Sequence, residues 1–300
     1  MGNSIREEQC EDRNIKLLAA QRALYSKAKT LFGLQLFLSG PVVIVLGIIS
    51  IFDSKYLSLI NSYTVILSIF EVIVISKSIS KYKKLGAAIQ EDFDCGILRL
   101  SWNEVLSASK VSLEKVNEWS ERIKSKNRDD LLKWYGEFPD CFSYPASRVV
   151  IQKYNTNWDN DLRNSFLMSV SVVSWIFAIL ILLIFSFENI SFNESYKVLL
   201  PVLPITILMV SFYTDNKSSI ESLDAVTNKL DEAWDDLLHS RKSDDELMTV
   251  ARNIQDAIYL HRVDSPLVFD WYYKWRSRKQ QANADFSVEQ LKNEYIFAQK

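Results

Sequence analysis

Glycine, proline, cysteine and histidine are all scarce: seven, six, three and two among 300 residues. So few glycines and prolines leave little material for tight turns, which argues against a loop-rich β fold and for long helices. Cys10, Cys95 and Cys141 show no CxxC spacing, so neither a disulfide framework nor a zinc site is expected. Beside His239 and His261 there is no glycine-rich phosphate loop, and no Ser/His/Asp or Cys/His pair stands at a suggestive spacing. Catalysis and a bound cofactor are therefore not expected. Charge of one sign is missing as well: the formal net charge is -2, and residues 77–164 carry 15 basic against 13 acidic side chains. That balance excludes a general nucleic-acid surface. The first 30 residues are charged and hold no short apolar core ahead of a cleavage site, so no signal peptide is expected.

Long apolar runs, by contrast, are plentiful. Residues 31–52 (LFGLQLFLSGPVVIVLGIISIF) carry no charge, and residues 56–76 carry one, Glu71. Both are long enough to cross a hydrocarbon core about 30 Å thick at about 1.5 Å per residue. Residues 165–187 (SFLMSVSVVSWIFAILILLIFSF) form a third run and residues 198–213 (VLLPVLPITILMVSFY) a shorter fourth. The pattern predicts an all-α polytopic membrane protein with four transmembrane helices in two hairpins. Residues 1–30, 77–164 and 214–300 then build a helical domain on one side.

Cytoplasmic flanks carry an excess of Lys and Arg. Lys16, Arg22, Lys27 and Lys29 precede the first run and Lys77, Lys81, Lys83 and Lys84 follow the second, whereas the turn between them has Lys55 alone. The second hairpin agrees, with Lys153 and Arg163 before it, Lys217 after it and Lys197 between. Both termini are expected in the cytoplasm. Within the C-terminal segment, Ile220, Leu223, Val226, Leu230, Trp234 and Leu237 recur at helical intervals. A second helix is expected over residues 244–260, capped by Ser243 with Glu246 as its partner, and a last one over residues 287–299, starting at Ser287 with Gln290 at the same offset.

Four stretches carry a family resemblance: QRALYSKAK (residues 21–29), IQEDFDCGILRLSWNEV (89–105), WYGEFPDCFSYPASRVVIQKYNTNWDNDLR (134–163) and ARNIQDAIYLHRVDSPLVFDWYYKWR (251–276). With the paired apolar runs between them, the chain resembles the SMODS-associated four-transmembrane effector family over nearly its whole length. Phe269 stands where that pattern usually has proline, and Ile97-Leu98 where it usually has Val-Phe. The resemblance implies a membrane effector of bacterial anti-phage defence, encoded beside a synthase of cyclic nucleotide second messengers. Such a protein senses a cyclic di- or oligonucleotide in the cytoplasm, assembles as a homo-oligomer and disrupts the inner membrane. A signalling receptor or scaffold without a pore is the alternative.

A messenger of that kind offers phosphates and purine faces, which call for Arg or Lys donors and stacking aromatics. Among the family-like stretches the ligand candidates are Arg148, Gln152 and Asn155, then Arg252, Gln255 and Arg262, then Trp271 and Tyr272. Large aromatics also serve as packing anchors. In the second run Asn61, Thr64, Ser68, Glu71 and Ser78 recur at spacings of three, four, three and seven, a polar stripe suited to a pore or a helix–helix contact rather than to lipid. Glu71 stands six residues before Lys77, about 9 Å of helix from the cytoplasmic edge. Pro41, Pro201 and Pro204 lie within apolar runs, where proline permits a kink.

Overall fold

The computed structural model describes residues 3–52, 54–107, 109–123, 131–132, 134–136, 138–187 and 196–300. Asp53 and residues 188–195, assigned above to the outer turns, lie outside the described residues. Among those described every regular element is a helix. A single turn, α1 (Ile5–Glu8), precedes α2 (Asp12–Phe37), which passes through a π-helical turn at Leu38–Val42 into α3 (Val43–Phe52). After a 3-10 turn at Ser54–Tyr56, α4 (Leu57–Phe70) passes through a second π turn, Glu71–Ile75, into α5 (Ser76–Leu98). Short α6 (Glu104–Ser107) and α7 (Leu113–Ser120) lead to α8 (Tyr144–Phe187), α9 (Tyr196–Leu238), α10 (Asp244–Asp264) and α11 (Asp270–Ala298).

Four of these helices continue past the apolar runs without a break. The 44 residues of α8 reach about 65 Å at 1.5 Å per residue, twice what a bilayer core requires. Three helical stretches, Asp12–Gly47, Leu57–Leu98 and Tyr144–Leu183, are long and apolar enough to cross a membrane. The fourth expected span forms the first part of α9, which packs along α8, α3 and α4. The polar and apolar segments are thus two ends of the same helices rather than separate domains joined by linkers.

Both π turns have local causes. Pro41 has no N–H to donate, and its ring crowds the carbonyl four residues back, so the helix widens around it. The second π turn holds no proline; it opens at Glu71, whose side chain is turned inward and only 6% exposed. At Gly40, beside Pro41, a Cβ would make an ordinary contact with Ile205 of α9 at 3.6 Å. Gly86 does let α2 come close to α5, since a Cβ there would meet the Tyr25 ring at 3.3 Å.

The end of α5 follows from its last residues. Arg99 takes a left-handed conformation (φ 50), and the Leu100 N–H returns to the Cys95 carbonyl at 3.0 Å, closing the orphan carbonyls of the last turn. Arg99 then lies over the Tyr144 ring at 3.8 Å and pairs with Glu8. At α10 the expected capping box is present, with Ser243 and Glu246 bonding each other's backbone N–H. The last helix differs from the sequence expectation: it begins at Asp270, and Ser287 lies within it. No proline or glycine occurs between Pro266 and the C-terminus, so nothing stops the helix from propagating back to the turn. Phe269 caps it at φ -66, close to the value proline would impose, which is why phenylalanine serves there.

One large core holds the polar end together, built around Leu18, Leu24, Phe93, Phe142, Leu230 and Trp234. Ile97 and Leu98 are each 1% exposed within it, so Ile-Leu fulfils the packing role of Val-Phe. Two smaller clusters sit where this end meets the apolar runs, and both are filled from the α10–α11 connection. Leu267 enters between Ala28 and Phe32, and Val268 between Leu162, Phe166 and Tyr272. Phe32 stacks at 5.3 Å on both Phe212 and Phe269, so rings from α2, α9 and the connection form one junction.

Candidate functional site

Five of the eight sequence-derived ligand candidates stand in one buried polar layer between α5, α8 and α10. The Arg252 guanidinium donates to Glu91 at 2.6 Å and Asp256 at 2.8 Å, and to the Ser101 carbonyl at 2.8 Å. Gln255 donates to Glu91 at 2.8 Å and Asp94 at 3.2 Å and accepts from Gln152 at 3.1 Å. Arg262 donates to Asp94 at 2.5 Å, and the Tyr135 hydroxyl reaches the other oxygen of that carboxylate at 2.5 Å. Arg148 closes the edge of the layer by donating to the Leu98 carbonyl at 2.7 Å. Burial alone would pull the Arg252 and Arg262 guanidinium groups down, but the paired carboxylates more than offset it and hold both above the ordinary arginine range. Burial, with Glu91 beside it, pushes the Cys95 thiol up to about 12, so this sulfur is inert at neutral pH.

The remaining candidates lie elsewhere. Asn155 is half-buried one turn along α8 from Gln152. Tyr272 is 2% exposed, packed on Phe166 with its hydroxyl 3.1 Å from that of Ser169, whereas Trp271 beside it is 66% exposed. Both belong to the foot of the apolar runs rather than to the buried layer.

A second polar constellation, missed in the sequence reading, lies at the junction. Arg163 on α8 donates to Asp159 at 2.9 Å, to the Pro266 carbonyl at 3.1 Å and to the Ser265 hydroxyl at 2.8 Å. His261 on α10 meets the same Asp159 oxygen at 2.7 Å, and its other ring nitrogen faces Ser219 on α9 at 3.4 Å. Burial pushes the Asp159 carboxyl up, but Arg163 and His261 outweigh it and hold it well below the usual carboxylate range. Arg163 therefore clamps the α10–α11 connection rather than merely flanking a span. The i, i+4 spacing of Asp159 and Arg163 was the available signal; their distant partners left none.

The third constellation is inside the apolar bundle. Glu71 accepts from the Ser39 hydroxyl of the facing π turn, and the Gln35 side chain also bonds to it. Thr64 is buried, Asn61, Ser68 and Ser78 are half-buried, and the Thr64 and Ser68 hydroxyls return to carbonyls of their own helix. Gln35 near the end of α2 and Ser39 in the π turn that follows, four residues apart, give the stripe a neighbour that the sequence reading had not singled out. Beside them runs a crevice of about 400 Å³ that leads from Gln35, Ser68 and Glu71 to Lys83, Asp215 and Leu267 at the junction. Burial, then the nearby Arg163, push the Lys83 ammonium down to about 8.

Helices long and apolar enough to traverse a bilayer and a polar end built from three separate segments point to one kind of protein, and comparison with known families agrees. Residues 3–291 match the SMODS-associating 4TM effector domain. The chain belongs to that family. The match includes the apolar bundle, the junction and the buried layer alike. A probable CBASS effector molecule of Bacillus cereus (strain VD146) is 28% identical over 280 residues, which cover 91% of this chain and 93% of the relative. No solved structure matches. As a 4TM effector the chain is a membrane protein, and among its described residues no cluster of His, Cys, Asp or Glu is arranged to hold a metal ion.

Proposed function

We propose that this chain is a CBASS effector of anti-phage defence, gated by a cyclic di- or oligonucleotide that its polar domain senses in the cytoplasm. On this reading the synthase of that messenger is its functional partner, and several copies assemble in the inner membrane and permeabilise it. The observation that carries the proposal is mechanical continuity: of the helices that form the buried layer, α8 runs straight on into the apolar bundle and α5 joins α4 there through the π turn at Glu71–Ile75. A rearrangement at Arg252 and Arg262 has no flexible linker in which to dissipate. The lysine and arginine bias of the flanks supports a cytoplasmic polar domain.

In this structure Arg252, Gln255 and Arg262 are committed to Glu91 and Asp94. A phosphodiester is a competing acceptor for the same donors, so binding and the breaking of α5–α10 pairs would be one event. The Asn61, Thr64, Ser68, Glu71 and Ser78 stripe is the proposed responsive element in the bundle. Dye release from liposomes holding the purified protein, titrated with a panel of cyclic di- and oligonucleotides, tests this. Release switched by one nucleotide supports the proposal, and tight binding without release moves the assignment to a receptor without a pore.

A further inference from the structure

We propose that the first three turns of α11 are an interfacial anchor that holds anionic lipid headgroups at the foot of the bundle. One side of this segment packs on the bundle and its neighbouring side is left exposed. Tyr272, Arg276 and Gln280 turn toward α8: Tyr272 meets Ser169, Arg276 donates to Ser165 at 2.7 Å and Gln280 to the Trp158 carbonyl at 3.4 Å. Trp271 and Trp275, one turn apart, flank that face, edge-on to the Tyr272 ring at 5.6 and 5.5 Å, yet remain 66% and 69% exposed, with Lys274 and Arg278 exposed between and after them.

Two neighbouring indoles left in water forgo a large apolar burial, so this face calls for a cover. Its level in the molecule identifies that cover. Ser165 and Ser169, the α8 partners of Arg276 and Tyr272, open the uncharged run of residues 165–187, and Met168 between them is 73% exposed. Tryptophan prefers this depth, where its ring is apolar and its N–H is wet. Residues 271–284 contain four basic side chains and no acidic one, and basic clusters beside a membrane attract anionic headgroups. A docked protein would require a complementary surface; a bilayer at this level already supplies both the apolar layer and the negative charge.

This inference rests on the bilayer-spanning reading, and its test separates the two. The full-length protein is reconstituted in phosphatidylcholine vesicles with or without phosphatidylglycerol, their acyl chains brominated near the headgroup or near the chain end. The expected result is that Trp271→Phe/Trp275→Phe loses most of the quenching by shallow bromines while deep bromines still quench Trp175. Phosphatidylglycerol raises shallow quenching of the native chain, and Lys274→Glu/Arg278→Glu abolishes that rise. Shallow quenching that is the same with and without the two tryptophans overturns the anchor alone. Trp271→Cys chains that cross-link copy to copy, with no phosphatidylglycerol dependence, assign the face to a second copy instead. Absence of deep quenching at Trp175 overturns the spanning reading and the anchor together.

Discussion

Glu71 in the apolar bundle and Glu91 in the polar layer are both acidic side chains turned away from solvent, 6% and 1% exposed, yet they keep different company. Glu91 meets the Arg252 guanidinium, Gln255 and the Cys95 thiol, and Asp94 one turn on meets Arg262. Glu71 meets a hydroxyl and an amide, Ser39 and Gln35. Charge-assisted hydrogen bonds are about twice as strong as neutral ones. With cations among its donors, the polar layer is the more strongly held of the two, and the Glu71 contact, whose donors are neutral, the more lightly held. On the proposed function, such a pairing is a strong lock in the polar end and a weak latch in the bundle.

Breaking the lock gives the largest effect. Glu91→Ala leaves Arg252 buried with one of its two carboxylate partners gone and removes an acceptor from Gln255. Breaking a buried ion pair from one side costs about 3–5 kcal/mol. Thermal unfolding in detergent is expected to show a loss of that order; a loss under about 1 kcal/mol would mean that the layer is wet and weakly coupled.

The junction ranks next. Arg163→Ala strands the Pro266 carbonyl and Ser265 hydroxyl and takes a cation from Asp159, for a cost of about 1–3 kcal/mol. Asp159 also makes a test in pH. Because its folded value lies below the ordinary one of about 3.9, its contribution is fully present above that value and is lost as pH falls below it. Unfolding free energy should therefore decline more steeply between about pH 4 and pH 2 in the native chain than in Asp159→Asn, by up to about 1.4 kcal/mol per pH unit. Parallel acid profiles would remove Asp159 from the junction's energetics.

Legibility in the sequence follows this contrast. The spans could be read because an uncharged run is a local property, and so could the α10 cap, because Ser243 and Glu246 are three residues apart. Ser287 and Gln290 imitate the same signature inside α11, since a capping box means nothing unless the helix actually begins there. The lock was half legible: Arg252, Gln255 and Arg262 were singled out as cationic and polar groups in one stretch, but Glu91 and Asp94 lie 161 and 168 residues from their arginine partners. No periodicity reports a pairing at that range. Glu71 stood out as a lone charge, while Ser39 and Gln35 looked like ordinary polar residues in an apolar helix.

The smallest expected effect is at the latch. Glu71→Gln retains a carbonyl oxygen to accept from Ser39 and an amide for Gln35, so its stability cost is expected below about 1 kcal/mol. Glu71→Ala leaves the Gln35 amide without that acceptor in a medium that has no water to offer, while the Ser39 hydroxyl keeps the Gln35 carbonyl at 2.9 Å, for about 1–3 kcal/mol. The two variants thereby separate packing from chemistry. If the latch sets the threshold for opening, both should shift the nucleotide concentration that triggers dye release, with Ala shifting it further than Gln in step with the lost bonds. A Gln variant that abolishes release while remaining as stable as the native chain would instead assign Glu71 a role that needs its ionisable carboxyl, such as facing an ion in an open assembly. Full release in both variants would leave Glu71 as a packing detail and move the responsive element to the aromatic junction of Phe32, Phe212 and Phe269.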